Sequence, residues 1–394
     1  MSTWRNRFLA DAAEWRSAGL ERRRRVVRPV SATTVEVDGK IITAFASNDY
    51  LGLSRHPRLI EAVAEGARRF GVGAGASHLV SGHHVVHEEL ERELARFAGK
   101  PAALTCMNGY VANVALMTTL AGTGDVIFSD ELNHASIVDG TRLSRAAVKV
   151  YPHTDVDALE WQLKSSAAGH KLVVTDAVFS MDGDVAPLRE LLALCERYDA
   201  LLVIDDAHGF GVWGPEGRGS VQALGLESDS IVYMGTLGKS AGLSGAFIAA
   251  DRLIIDRLIQ RARPYVFSTA SSPALAHATL TALELIRSAD AGRARVAAYR
   301  DRLQRASSEW KPYRMLPSAT AIQPLIIGDN IATVEIADAL LREGLWVPAI
   351  RPPTVPEGSA RLRITLSAAH SDADIDRLCE TLSHVIASAT ANLA

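Results

Sequence analysis

A doubly wound α/β fold on a mostly parallel sheet, with a small α+β unit at the C-terminal end, is what this 394-residue sequence predicts. Three observations lead there. Short apolar runs alternate with helical patterns from about residue 57 onwards, and the residues able to do chemistry fall directly after those runs. The chain is also 48% hydrophobic and 22% charged, with 29 Gly and 15 Pro, close to the average of soluble globular proteins. Strand–helix alternation implies parallel pairing with helices on both faces, and ligands then collect outside the carboxyl ends of the strands. At about 150 residues per domain the length suits two to three domains: an arm and small segment over 1–50, a large α/β domain over 51–287, and an α+β domain over 288–394.

Taken in chain order, residues 1–30 hold eight Arg against three acids, and Trp4, Phe8, Leu9, Ala12 and Trp15 are spaced as on an amphipathic helix. Arg22 to Arg25 read as a solvated stripe, or as an anion contact, since guanidinium forks match carboxylate and phosphate oxygens. Leu59–Phe70 is helical. Ala102–Cys106, Asp125–Phe128, Ala147–Tyr151, Leu172–Thr175, Leu201–Ile204 and Ile231–Met234 read as buried strands. Between them Tyr110–Leu120, Asp155–Lys164 and Pro187–Tyr198 have helical spacing and length. A long helical region, Pro273–Trp310, could link two domains. The last stretch places strands at Ala321–Ile327, Trp346–Pro348 and Arg361–Ser367, and helices at Ile331–Glu343 and Ser371–Ala387. The Pro-rich turn Arg351–Pro356 cannot be a central strand, because prolines lack the ladder donor.

Charge and cysteine usage narrow the function classes. Forty-two Lys and Arg against 45 Asp and Glu leave a formal charge of -3, so there is no bulk electrostatic case for nucleic acid. Cys106, Cys195 and Cys379 are too few and too scattered for a disulfide scaffold or a metal knuckle, and they fit a reducing compartment. Charged residues interrupt every apolar stretch of the N-terminus, which excludes a signal peptide there. No window reaches the roughly 18 to 20 apolar residues that a bilayer crossing needs. The expectation is a cytoplasmic protein without membrane contact.

Four patterns imitate known sites and fail on context. Gly71–Ala76 satisfies G-x-G-x-x-A but follows a helix, whereas a dinucleotide fingerprint follows a strand. Gly238-Lys239-Ser240 imitates the end of a P-loop, yet Tyr233 stands where the first glycine belongs. His83, His84 and His87 offer i, i+4 spacing with no third ligand nearby in sequence, so no metal is expected. Gly242–Ala246 misses the G-x-S-x-G elbow.

Three other features resist a purely structural account. The strand Leu201–Ile204 runs into Asp205-Asp206-Ala207-His208-Gly209, and carboxylates at a buried strand end cost stability unless something meets them. The strand Ile231–Met234 delivers Thr236 and Lys239 to the same edge. After a third strand, Asn108-Gly109-Tyr110 opens a helix, whose N-terminus is an anion site. A lysine for a Schiff base, a carboxylate for a pyridine nitrogen and a cradle for a dianion together fit pyridoxal 5′-phosphate (PLP). Gly109, Tyr110 and Thr236 offer the cradle's donors, and His134 a flat partner for the ring.

Asn48–Gly52, Leu79–Gly82, Asn133–Ser136, Val178–Gly183, Asp205–Gly209 and Gly235–Lys239 together resemble the α-oxoamine synthases, fold-type I PLP enzymes. The resemblance spans nearly the whole chain, with the motifs in the family's order. It implies Lys239 as the Schiff-base lysine, Asp205 as partner of the pyridinium nitrogen, and His208 and Ser180 at the phenolic oxygen or ring. It further implies Gly109, Tyr110 and Thr236 at the phosphate, with His134 stacked on the ring. Asn48 and Arg363 resemble the groups that hold the amino-acid carboxylate, and Arg22 and Thr354 those that meet the acyl substrate. Ser268 and Thr269 resemble residues donated to a neighbouring subunit's phosphate site, which implies a homodimer with shared active sites. Asn108 departs from the serine usual at that position.

Among four branches of the family, Ala349–Pro356, Ala360–His370 and Asp182–Pro187 are most similar to the one that makes 8-amino-7-oxononanoate for biotin synthesis. That branch condenses L-alanine with pimeloyl-CoA or a pimeloyl acyl-carrier protein. Glycine C-acetyltransferase is the alternative.

Overall fold

All six apolar runs picked out between residues 102 and 236 are strands: β1 (Ala102–Cys106), β2 (Val126–Asp130), β3 (Ala147–Tyr151), β4 (Lys171–Asp176), β5 (Ala200–Asp205) and β6 (Ile231–Thr236). They come from a computed structural model that describes residues 3–391. A seventh strand, β7 (Ala246–Ala250), was not expected from the sequence. The sheet runs β1-β7-β6-β5-β4-β2-β3. Pairing is parallel from β6 across to β3, and β7 alone is antiparallel to both its neighbours. Only Phe247 and Ile248 favour a strand in the Ala-rich β7. All five of its side chains are fully buried and both its edges are paired, so tertiary context overrides propensity.

This sheet belongs to one of two compact units, formed by Leu51–Ser180 and Val185–Arg293. Its helix α1 (Gly109–Leu120) starts at Asn108, whose side-chain oxygen accepts the Val111 N–H at 2.9 Å. Ala112, Ala115, Leu116 and Met117 of α1 join Ile127, Val174, Val203 and Val232 of the sheet in one apolar cluster. Each Leu- or Met-sized side chain buried there contributes about 1.5–3 kcal/mol. Helix α2 (Ala135–Ser144) packs close against α1 because position 140 is glycine. A Cβ there would lie 2.9 Å from Met117 Cγ and 3.1 Å from Asn113 O. Parallel register sets Asp176 of β4 beside Asp205 of β5, so two carboxylates end at the same edge.

The other unit comprises Met1–Tyr50, Met181–Asp184 and Ala294–Ala394. A hairpin of Thr34–Val37 and Lys40–Ala44 turns on Asp38 and Gly39 at φ 51 and 77, the positive pair a type I′ turn requires. A second sheet orders Arg314–Met315, Ile322–Gly328, Ala360–Thr365 and Ala349–Ile350. The helices Asn330–Arg342 and Asp372–Ala391 complete the α+β character.

Three local expectations need correction. The N-terminal helix Thr3–Ser17 forms but buries none of its residues, and Trp4, Phe8, Leu9 and Trp15 stay 53–63% exposed. Helical periodicity alone supplies no partner surface. The long helical region divides into Pro273–Arg287 and Asp290–Ala306, broken at Ser288 and Ala289. Trp346–Pro348 is not one strand: Leu345–Trp346 pairs with Lys40–Ala44, while Ala349–Ile350 pairs with Ala360–Thr365. Pro348 lies between them and lends only its carbonyl, to the Arg363 N–H at 3.0 Å.

Candidate active site

The carboxyl edge of the parallel sheet gathers several buried titratable groups, Asp176, Asp205, Asp206 and His208 among them. Asp205, 4% exposed, ends β5. Its Oδ1 accepts the Ala207 N–H at 3.0 Å and its Oδ2 accepts Asn113 Nδ2 at 2.7 Å. Asn113 also donates to Ser136 Oγ at 2.8 Å, and Ser136 Oγ meets His134 Nδ1 at 2.7 Å. His134 caps α2, its Nδ1 accepting the Ser136 N–H, which leaves the imidazole proton on Nε2. Its backbone N–H donates to Asp176 Oδ2 at 2.7 Å. Loss of solvent around the ring holds the His134 pKa below the usual range; the Asp205 carboxylate opposes this and the Lys239 amine adds to it. Burial, and then the adjacent Asp205 carboxylate, push Asp176 well above the ordinary carboxylate range.

Lys239 stands on the tight connection between β6 and β7, where the Leu237 N–H bonds Gly245 O at 2.9 Å. Gly242 makes the turn possible: its φ is 69, and a Cβ there would lie 2.5 Å from Ser54 N. The Lys239 amine sits 2.8 Å from His208 Nε2, and His208 is 6% exposed. Both His134 and Asp176 feel the charge of Lys239, so the amine shares their electrostatic environment. The His208 loop is anchored by Asp206, whose Oδ1 accepts the Ser220 hydroxyl at 2.6 Å. Asp206 Oδ2 accepts the Ser220 N–H at 2.7 Å and the Tyr233 hydroxyl at 2.9 Å. Burial outweighs those donors and raises Asp206 to about 6.

An anion cradle opens beside these groups. The leading N–H groups of a helix have no partner within it, and α1 begins with Gly109 and Tyr110. A Cβ at Gly109 would meet Met234 Cε at 3.7 Å and Thr236 Oγ1 at 3.9 Å, so the helix start faces the end of β6. Tyr110 is exposed, and its hydroxyl donates to Asp139 Oδ2 at 2.5 Å. Ser180 is half-buried. Ser268 is half-buried and Thr269 exposed, the latter bridging Ser77 through its backbone.

Within the other unit the four remaining candidates form two pairs. Arg363, 5% exposed in Ala360–Thr365, donates from Nη1 to Asn48 Oδ1 at 3.1 Å and to Thr365 Oγ1 at 2.9 Å. The buried Tyr50 hydroxyl also reaches Asn48 Oδ1, at 3.3 Å. Arg22 Nη2 meets Thr354 Oγ1 at 3.4 Å, while Arg23 pairs with Glu21 and Arg25 with Asp338. Of that arginine run, Arg22 is therefore the member set beside Thr354. A second buried arginine, Arg361, is paired with Asp182 at 2.6 Å, which leaves it a structural cation.

Sequence reasoning gave no role to Asn113, Ser136 or Asp176. The signal for Asp176 was present, as a charge closing a buried strand. For Asn113 it was one amide on an otherwise apolar helix face. The structure also supplies the third imidazole that local sequence lacked: His78, His83 and His87 bring ring nitrogens within 4.8 Å of one another. His87 spends Nδ1 on the His84 N–H and Nε2 on Ser271 O, so it is a packed, hydrogen-bonded histidine.

Comparison with known proteins adds four findings. Residues 40–382 match the aminotransferase class I and II family. The 8-amino-7-oxononanoate synthase of Herminiimonas arsenicoxydans is 54% identical over 387 residues, covering 96% of this chain and 98% of that protein. The enzyme of the same name from Burkholderia thailandensis is 57% identical over 366 residues, 91% of this chain and 93% of its own. Among solved structures, a serine palmitoyltransferase variant from S. paucimobilis with a bound PLP–myriocin aldimine superposes at a TM-score of 0.92. It is 29% identical and covers 98% of each chain.

Proposed function

From the premise that this chain belongs to the 8-amino-7-oxononanoate synthase family, within the class I and II aminotransferases, we propose its activity. It is a PLP-dependent acyltransferase that joins L-alanine to a pimeloyl thioester, releasing carbon dioxide, the thiol and 8-amino-7-oxononanoate. The observation that carries the reading is the Lys239 amine, 2.8 Å from His208 at the same sheet edge as the buried Asp205.

The residues present fit the cofactor on their own chemistry. An amine, a buried carboxylate already oriented by two donors, and a helix start facing a threonine hydroxyl are the three functions PLP demands of its site. When bound, the cofactor supplies an aldehyde for a lysine amine and a ring that stores electrons released at an α-carbon. Lys239 would hold that aldehyde, and its Nζ is the base placed to take the α-proton. Asp205 would hold the proton on the ring nitrogen, His208 and Ser180 would serve the phenolic oxygen, and His134 would cover the ring. Gly109, Tyr110 and Thr236 hold the phosphate through donors.

For the substrates, Arg363 and Asn48 hold the alanine carboxylate, a task suited to a buried guanidinium fork. Arg22 and Thr354 meet the acyl donor. Ser268 and Thr269 complete the phosphate site of a second copy, which makes the working form a homodimer. The reading keeps the division into 1–50, 51–287 and 288–394 and a cytoplasmic location. No helix among the described residues is long and apolar enough to cross a membrane.

The test is product identification by mass after supplying PLP, L-alanine and pimeloyl-CoA or pimeloyl carrier protein. Formation of 8-amino-7-oxononanoate supports the proposal. A product only from glycine and acetyl-CoA would replace it with glycine C-acetyltransferase.

A further inference from the structure

We propose that Asn113 is the positioning residue for Asp205. Through Ser136 it also ties that carboxylate to His134, so that the group serving the ring nitrogen and the group covering the ring face move as one unit. The inference rests on the PLP reading above and deepens it.

The case begins with cost. Asn113 is 1% exposed, and its buried neighbours on the helix, Ala112, Ala115, Leu116 and Met117, are apolar. A buried amide is unfavourable unless its hydrogen bonds are made, and Asn113 Oδ1 is buried with no partner. A leucine would fill this space without that penalty. What only the amide provides is its Nδ2 end, which donates to Asp205 Oδ2 at 2.7 Å and Ser136 Oγ at 2.8 Å. Because a carboxylate only accepts, the nitrogen must face Asp205, and the amide has one orientation.

The consequence is a fixed carboxylate. The Ala207 N–H holds one oxygen of Asp205 and Asn113 the other, so rotation about the side chain is arrested. From Ser136 the same network continues to His134 Nδ1, and the His134 N–H ends on Asp176. The other titratable groups facing Asp205 are Asp176 on β4, Asp206 next in the chain, His134 and Tyr233, while Lys239 acts on His134 and Asp176. Two of them are carboxyls that compete for any nearby donor or proton. Asn113 is a neutral side chain whose amide directs a donor at Asp205 and at neither of those carboxyls.

The experiment reconstitutes apo-protein with PLP carrying 15N at the ring nitrogen and follows its shift over about pH 6–9, which spans typical working pH. Wild type is compared with Asn113→Leu and Asn113→Ser, whose hydroxyl is too short to reach Asp205. Expected in both variants is loss of the ring-nitrogen proton at a pH about one unit lower, a tenfold change in that equilibrium. PLP binding should weaken by about tenfold, and kcat should fall with the alanine KM little changed, as for a contact needed mainly in the transition state. If the leucine variant fails to fold by circular dichroism, the serine variant decides. A folded variant with the wild-type titration and PLP affinity within about twofold, under half a kcal/mol, overturns the proposal. Failure of wild type to hold PLP would instead overturn the functional reading, and this inference with it.

Discussion

Replacing Gly209 with alanine tests whether the loop carrying His208 is held by packing or merely lies where it does. A Cβ at position 209 would stand 2.1 Å from Asp206 Oδ1 and 2.5 Å from Ser220 Oγ, far inside van der Waals contact. Gly209 is not among the positive-φ residues, so the penalty is one of space rather than of backbone conformation. Asp206 cannot swing aside cheaply, because its two oxygens hold the Ser220 hydroxyl, the Ser220 N–H and the Tyr233 hydroxyl. Overpacking of this kind costs about 1–3 kcal/mol, and a lost hydrogen bond to a charged acceptor about 1.5–3. With relaxation shared between the two, about 2–4 kcal/mol is expected. At about 2–4 °C per kcal/mol for a unit of this size, thermal unfolding of Gly209→Ala should begin at least about 4 °C lower. The displaced loop should also draw His208 from Lys239 and weaken PLP retention. Gly169→Ala is the control, since a Cβ there meets nothing within 4 Å. A Tm within about 1 °C of wild type, well under 1 kcal/mol, would refute the packing argument. A lowered Tm with full PLP affinity would refute its link to His208.

Lys239→Ala should lose the adduct that borohydride otherwise leaves on the chain, seen as a missing mass tag on the tryptic peptide. Asp205→Asn should keep PLP bound yet slow exchange of the alanine α-proton by about 100-fold or more, followed by deuterium loss in NMR, in the range of a lost general acid–base contribution. Arg363→Ala should raise the KM for alanine by about tenfold or more and leave that for the thioester nearly unchanged, a charge-assisted pair being worth about 1.5–3 kcal/mol; equal losses would speak against its role. Burial and neighbouring imidazoles lower His78 to about 3 and burial lowers His87 to about 4, so the unfolded chain binds the extra protons. The stability they lend is present above about pH 6.5 and is lost progressively as pH falls towards about 3. Urea midpoints should therefore drop across that window, with a shallower slope in His78→Gln.

Much of this molecule was legible as sequence because its signals are local. Leu172–Thr175 and Leu201–Ile204 are apolar on both faces, which only a covered parallel strand tolerates, and both lie within observed strands. Asp205 and His208 after one strand and Thr236 and Lys239 after the next were readable for the same reason: charge closing a buried run needs a function or a partner. What stayed hidden depends on contacts between distant residues. Ala246–Ala250 is a strand because two edges await it, not because alanine prefers strands. Asn113 lies 92 residues from the carboxylate it orients, and Arg22 lies 332 from Thr354, so no spacing rule could pair them. Residue order determined the fold class, the strand ends and the kinds of chemistry placed there. Tertiary structure decided which arginine of the run faces Thr354, which amide holds Asp205, and that β7 enters the sheet, because hydrogen bonds and close packing act over a few ångströms of space whatever the separation along the chain.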